Sequence, residues 1–253
     1  MLRVGLLDVV AGSVAARVLD VDGTVLAAAA RDVDDHDVVS LAAAAGEVLR
    51  DVAAAVPVPD WLGLMVVAPE RTVVEDGVLL TVHDALVARL TGVRATPVSY
   101  ACATGLADVG ARDWDRERLH DSGSRVAPVV ETGTVVGELL PGWGLPEALP
   151  VVAGAVRDLL LVVAAGGTRD GVLVELEDAQ VLSVASLAPL TPGWEPAAHA
   201  LPGLWALTGP AGADPGRPVT SGLPAGRPVE VAVAALVARA VGAHAHLPHP
   251  PRA

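Results

Sequence analysis

Arg3-Val-Gly-Leu-Leu-Asp8-Val9, then Val14-Ala-Ala-Arg-Val-Leu19-Asp20-Val-Asp22-Gly23, is the stretch whose reading decides the fold. It holds two apolar runs, and its Asp-Gly step precedes a third apolar run over residues 24–29. Asp-Gly between apolar runs is a hairpin signal, because Asp and Gly tolerate the positive φ that a tight turn demands. The chain is therefore expected to open with an antiparallel meander of three strands. Beyond it, Ser40 is placed to cap a helix over 41–56. Leu41, Ala45, Val48, Leu49 and Val52 fall on one face of that helix, and Pro57 closes it. Leu62 to Ala68 reads as a short strand buried on both faces. Asp84 to Leu90 reads as a short helix stopped by Gly92.

The second half alternates in the same way. A charged helix is expected from Trp114 to about Asp121. Strand character reappears at 151–163, mixed with helix character, and two strands flank Glu177-Asp178. Gly and Pro are dense from Pro189 to Pro228, which predicts irregular surface segments. Val229 to Val241 is the last expected helix. The tail from His244 holds His244, His246 and His249 among prolines, a setting with no fixed geometry for a metal. Strands alternating with helices place the chain in the α/β class.

Composition excludes several functions. The chain has 253 residues, 52% of them hydrophobic, and a mean hydropathy of +0.51. That is enough for one large core or two modest ones. All 17 basic residues are Arg, and Lys, Asn, Ile and Phe are absent, which points to GC-rich coding rather than to function. The net charge of −13 leaves no basic stripe for nucleic acid. A lone cysteine, Cys102, forbids an internal disulfide and fits a reducing cytosol, so a cytoplasmic location is expected. No apolar run approaches the roughly 20 residues of a membrane span. Asp8 interrupts the apolar N-terminus, which argues against a signal peptide.

Four segments, in order, carry a family resemblance. The opening Gly5-Leu-Leu-Asp8 to Asp22-Gly23 hairpin resembles the first hairpin of the FGGY carbohydrate kinases. Asp84-Ala-Leu-Val-Ala-Arg-Leu-Thr-Gly92 resembles the helix that the family writes D-Y-L-x-x-x-L-T-G. Ala101-Cys-Ala-Thr-Gly-Leu106, followed by Trp114, resembles A-S-A-T-G-L. Gly133-Thr-Val-Val-Gly137 with Leu149-Pro-Val-Val-Ala-Gly154 resembles the approach to the family's active site. Xylulokinase-like members match best. The resemblance implies a ribonuclease-H-like, actin-like ATPase fold over residues 1–228, shortened near 69–81 where the family carries sugar contacts. Residues 229–253 are then a terminal helix and flexible tail. No counterpart of the family's nucleotide-holding second domain is expected in this sequence.

The family transfers a phosphoryl group from ATP to a sugar, which needs phosphate loops, a metal and a base. The resemblance puts each part in doubt here. Val10 and Ala11 stand at the Gly and Thr of the first phosphate hairpin, and β-branched Val10 resists the required backbone. Gly12 and Ser13 are the candidates for a shifted phosphate loop. The family's catalytic Asp falls on Arg157, which stays protonated and cannot act as base. Asp158 comes one residue late, about 100° around a helix. Loss of such a base typically costs about 10²–10⁴ in rate. The second phosphate loop reads Leu176-Glu177-Asp178-Ala179, whose two carboxylates repel phosphate at about 1–4 kcal/mol per pair at 4 Å.

Asp8 and Asp158 are thus the candidate catalytic residues, vestigial or active, and Asp8 the candidate metal ligand. The plainer reading makes Asp8 a strand-end carboxylate bonded to backbone. It makes Arg157 and Asp158 a solvated helix start, and Glu175, Glu177 and Asp178 an exposed acidic turn. Cys102 reads as a buried small residue. Trp114, Trp143, Trp194 and Trp205 read as anchors. The expected function is a non-catalytic sugar-kinase relative that binds a sugar-like ligand, an active kinase, or a second copy of itself as a homodimer, with no cofactor. The alternative is an active carbohydrate kinase using ATP and magnesium, with Asp8 on the metal and Asp158 as base.

Overall fold

The opening meander forms where the Asp-Gly turn predicts. A computed structural model of the chain describes residues 2–33, 37–56, 61–187, 192–224 and 228–244. Strands β1 (Arg3–Val10), β2 (Ser13–Asp20) and β3 (Val25–Asp32) pair antiparallel in sequence. Gly23 takes φ +89 in the second turn, and a side chain there would strike the backbone of Val231.

Three further strands complete the first sheet: β4 (Trp61–Val67), β5 (Val135–Glu138) and β6 (Pro150–Val152). The order across it is β5-β6-β4-β1-β2-β3, with β4 parallel to β1 and β6 parallel to β4.

Alternation along the strands gives the sheet two apolar faces. Leu7, Val9, Val14, Leu64 and Val66 meet helices α1 (Val38–Ala55) and α2 (Val82–Thr91) on one side. Val4, Leu6, Leu19, Met65 and Val67 meet the helices at Arg157–Ala165 and Val229–His244 on the other. Between the two pairs of helices in sequence lie α3 (Val98–Ala103) and α4 (Arg116–Ser122); α5 is Arg157–Ala165 and α6 is Val229–His244. The terminal helix thus packs on β4 and β1 and against α5, closing an apolar face.

Two expectations need correction. Helix α1 starts earlier than predicted. Asp37, not Ser40, is its cap, accepting hydrogen bonds from the backbone N–H groups of Val39 and Ser40 at 3.0 Å each. A carboxylate offers two acceptors to the free N–H groups of a first turn, and so outcompetes the later hydroxyl. Nor is the Gly/Pro-rich stretch after Pro189 irregular throughout.

That stretch supplies three strands of a second sheet, built from β7 (Val172–Glu175), β8 (Ala179–Val184), β9 (Glu195–Ala198), β10 (Trp205–Pro210) and β11 (Ser221–Pro224). Their order is β9-β10-β8-β7-β11. Pro196 is tolerated because β9 is an edge strand, where a missing N–H breaks no ladder. His246 and His249 lie outside the described residues. Among the described residues no helix is long and apolar enough to cross a membrane.

Candidate functional site

Asp8 lies two residues before the end of β1, on the α5/α6 face, and is 2% exposed. Its carboxylate is occupied by two guanidinium groups. Arg17, on β2, donates from Nη1 to Oδ2 at 2.8 Å. Arg157, the first residue of α5, donates from Nη1 to Oδ1 and Oδ2 at 2.8 and 2.9 Å. Arg17 also reaches Glu230 of α6 through Nε at 3.3 Å. Two positive and two negative charges therefore close into one neutral chain. The partners of Asp8 are side chains, not the backbone groups expected from sequence, because register sets Leu6 opposite Arg17 and aims both β2 and α5 cations at the strand end.

The turn that delivers Arg157 is built without slack. Gly154 N–H donates to His83 Nε2 at 3.3 Å, and Val156 N–H donates to Ser99 Oγ at 3.2 Å. A Cβ on Gly154 would lie 2.0 Å from the Val66 carbonyl oxygen. Beneath it is a fully buried polar set. His83 Nδ1 lies 3.1 Å from Asp84 Oδ1, and the His83 ring stacks on Tyr100 at 4.6 Å. Tyr100 donates to Ala68 O and accepts from Ala68 N–H. Asp84 also accepts from Thr81 N–H and Thr96 Oγ1, closing a capping box on α2. Burial holds the Tyr100 phenol well above its ordinary pKa.

Asp158 points elsewhere. It lines a cavity of about 450 Å³ between α3, α5 and the second sheet, with Glu70, Ser99, Cys102, Glu195 and Thr208 among the walls. It stands exposed in the first turn of α5, as a solvated helix start would, while lining this cavity. Burial, with the Asp158 charge, raises the Glu70 carboxyl pKa. Burial also raises the Cys102 thiol. One residue of helix rotation separates the Asp8 pair from this cavity, as the spacing of Arg157 and Asp158 requires.

Gly12 and Ser13 face strand β3. Gly12 takes φ +73, its carbonyl accepts from Val33 N–H, and Ser13 Oγ donates to Arg31 O at 3.2 Å. Glu175, Glu177 and Asp178 stand exposed at the β7–β8 turn. Trp114, Trp194 and Trp205 each donate an indole N–H to a backbone carbonyl, and Trp143 packs on Gly46 of α1.

The carboxylate of Asp8 does not fit a magnesium ion in this state. Its oxygens are taken by cations, and a metal would have to displace both. Among the described residues no group of three or more His, Cys, Asp or Glu could hold a metal.

Viewed from the sequence, Glu70, Ser99 and Glu230 lie in no motif, and Arg17, though inside the opening hairpin, carried no sign of its partner Asp8. Thr81 and Asp84 did carry one, the T-x-x-D pattern of a capping box.

Solved structures share this architecture. Xylulose kinase from Rhodospirillum rubrum superposes with a TM-score of 0.73 at 19% identity, over 82% of this chain and 60% of that one. Plasmodium falciparum glycerol kinase with ADP gives 0.72 at 10% identity, over 83% and 61%. Gluconate kinase from Lactobacillus acidophilus gives 0.69 at 13%, over 82% and 60%.

The fold is that of a carbohydrate kinase. It bears out the ribonuclease-H-like, actin-like fold that the four motifs implied. In sequence, 97 residues are 37% identical to an autoinducer-2 kinase from Enterobacter sp. (strain 638), covering 36% of this chain and 18% of that relative. No family model matches the sequence. The kinase-fold chain spans about three-fifths of the solved structures it resembles and under one-fifth of that curated relative.

Proposed function

We propose that this kinase-fold chain binds a small polyhydroxylated molecule in the cavity between α3, α5 and the second sheet and transfers no phosphoryl group. One observation carries the reading: the Asp8 carboxylate is closed into ion pairs with Arg17 and Arg157. A phosphotransferase needs a free carboxylate to hold a metal and another to take the hydroxyl proton. Here the first is neutralised by the very residue that stands at the position of the second. The acidic Glu177-Asp178 turn adds repulsion toward phosphate. The cavity supports binding, because it brings hydroxyl, thiol and carboxyl groups to apolar walls, the usual lining of a small-molecule site.

A second reading is favoured by the place of Asp158. Its carboxylate opens on the cavity beside Glu70, where it would serve as base to a sugar hydroxyl. ATP and magnesium would then be required.

Titration with xylulose, glycerol and gluconate, joined to an ADP-release assay with ATP and magnesium, separates the readings. The expected result is saturable binding of at least one of these polyols, weakened by Asp158→Asn, with no ADP released. Sugar-dependent ADP release that disappears in Asp158→Asn establishes the second reading instead.

A further inference from the structure

Arg112 lies in the turn between Asp108 and Asp113 with φ +56, a left-handed backbone that residues with a Cβ avoid. Its side chain is 11% exposed and its guanidinium is almost fully used. Nε and Nη2 form a fork on the Glu131 carboxylate at 2.7 and 2.6 Å. Nη1 donates to the carbonyl of Leu204 at 2.7 Å, and Nη2 to that of His199 at 3.3 Å. The cation also sits over the Trp205 ring, 5.9 Å from its centre, while Trp205 Nε1 donates to the carbonyl of Val109 at 3.0 Å.

These bonds reach across to the second sheet. Residues 109–131 lie outside both large sheets, in short strand pairs beside α3, and residues 199–204 connect β9 to β10 of the second. Glu195, Ala197 and Thr208 of those two strands form one wall of the cavity, and Ser99 and Cys102 of α3 form the other. α3 packs directly on β9.

The receiving segment is itself rigid. His199 is buried and held neutral, its pKa pushed down to about 4 by burial. Its Nδ1 accepts from Leu201 N–H, which leaves Nε2–H to donate to Ser183 Oγ at 3.2 Å, and Ser183 donates onward to Gly167 O. Only a planar group with several fixed donors satisfies a carboxylate and two carbonyls at once.

We propose that Arg112 is a positioning residue that straps the second sheet to α3 and holds the cavity at one width, so that a ligand enters a preformed pocket without closure of that seam. The strap itself stands apart from the ligand-binding reading; only the statement about entry rests on it.

Cys102 is the chain's single cysteine and stands, partly buried, on the α3 side of that seam. Its rate of reaction with a small thiol reagent therefore reports the separation of α3 from β9. Arg112→Gln is expected to raise that rate by roughly tenfold or more, the scale of losing charge-assisted hydrogen bonds. Arg112→Lys, which keeps the charge without the fork, is expected to fall between. The acceleration should be nearly independent of low urea, the mark of local opening rather than global unfolding. A wild-type labelling rate in Arg112→Gln, or an increase that climbs steeply with urea, overturns the proposal. Should Arg112→Gln fail to fold, Glu131→Gln opens the same fork from its 39%-exposed side and is judged by the same rates. If labelling accelerates as expected while xylulose, glycerol and gluconate all fail to bind, the strap stands and the ligand-binding reading falls.

Discussion

Asp8→Ala is expected to lower the unfolding free energy by about 3 kcal/mol, the lower end of the range for removing one partner of a buried ion pair. The lower end applies because Arg17 and Arg157 are 26% and 42% exposed and regain some water once released. In a domain of this size that is a fall of about 6–12 °C in Tm. The sign matters more than the size. A carboxylate kept for metal binding or catalysis, without counter-charges, is held at some expense of stability, so its removal is neutral or stabilising. A carboxylate that neutralises two arginines behaves in the opposite way. Urea denaturation of wild type, Asp8→Ala and Asp8→Asn reads this directly. Asp8→Asn retains the volume and an acceptor oxygen, and should lose less. An unchanged or raised stability in Asp8→Ala would show that the ion pairs are not what the carboxylate is there for.

Gly154→Ala is expected to cost about 3 kcal/mol or more, beyond the usual overpacking range of roughly 1–3 kcal/mol. The obstruction is backbone, the Val66 carbonyl in the middle of the sheet at 2.0 Å, and no rotamer change relieves it. The turn would have to leave β4, breaking the Gly154–His83 bond and withdrawing Arg157 from Asp8. Gly12→Ala supplies the contrast. Nothing lies within 4 Å of a Cβ there, so only the positive φ is strained, at about 1–2 kcal/mol. Chemical denaturation of the two variants separates packing from backbone conformation. Equal, small losses would mean that the approach of residues 153–156 to β4 is looser than the structure has it.

Local signals in the sequence carried much of the fold. The Asp22-Gly23 turn placed the meander, Gly92 ended α2, and the apolar run 229–241 marked α6. Each depends on residues within a few positions of one another. Of the second sheet, β7 and β8 were legible, but β9 and β10 were hidden because Pro196 and the glycines around them read as breakers, and only the pairing of β10 with β8 and of β9 with β10 shows that Pro196 sits on an edge strand. At the site, the loss of the expected Asp at position 157 was legible, and so was the displaced Asp158. What Arg157 does instead was not. Its partner lies 149 residues away, brought there by the parallel alignment of β1, β4 and β6. The strap at Arg112 was equally silent, since its acceptors in the second sheet's β9–β10 connection are backbone carbonyls about 90 residues distant and no side-chain pattern announces them.

The central claim is that Asp8 is spent on arginines and has nothing left for a metal-bound phosphate. Isothermal titration of magnesium ATP into the protein tests it most directly. The account predicts no saturable heat up to millimolar nucleotide. A saturable isotherm that vanishes in Asp8→Asn, in protein shown to be folded, would contradict it.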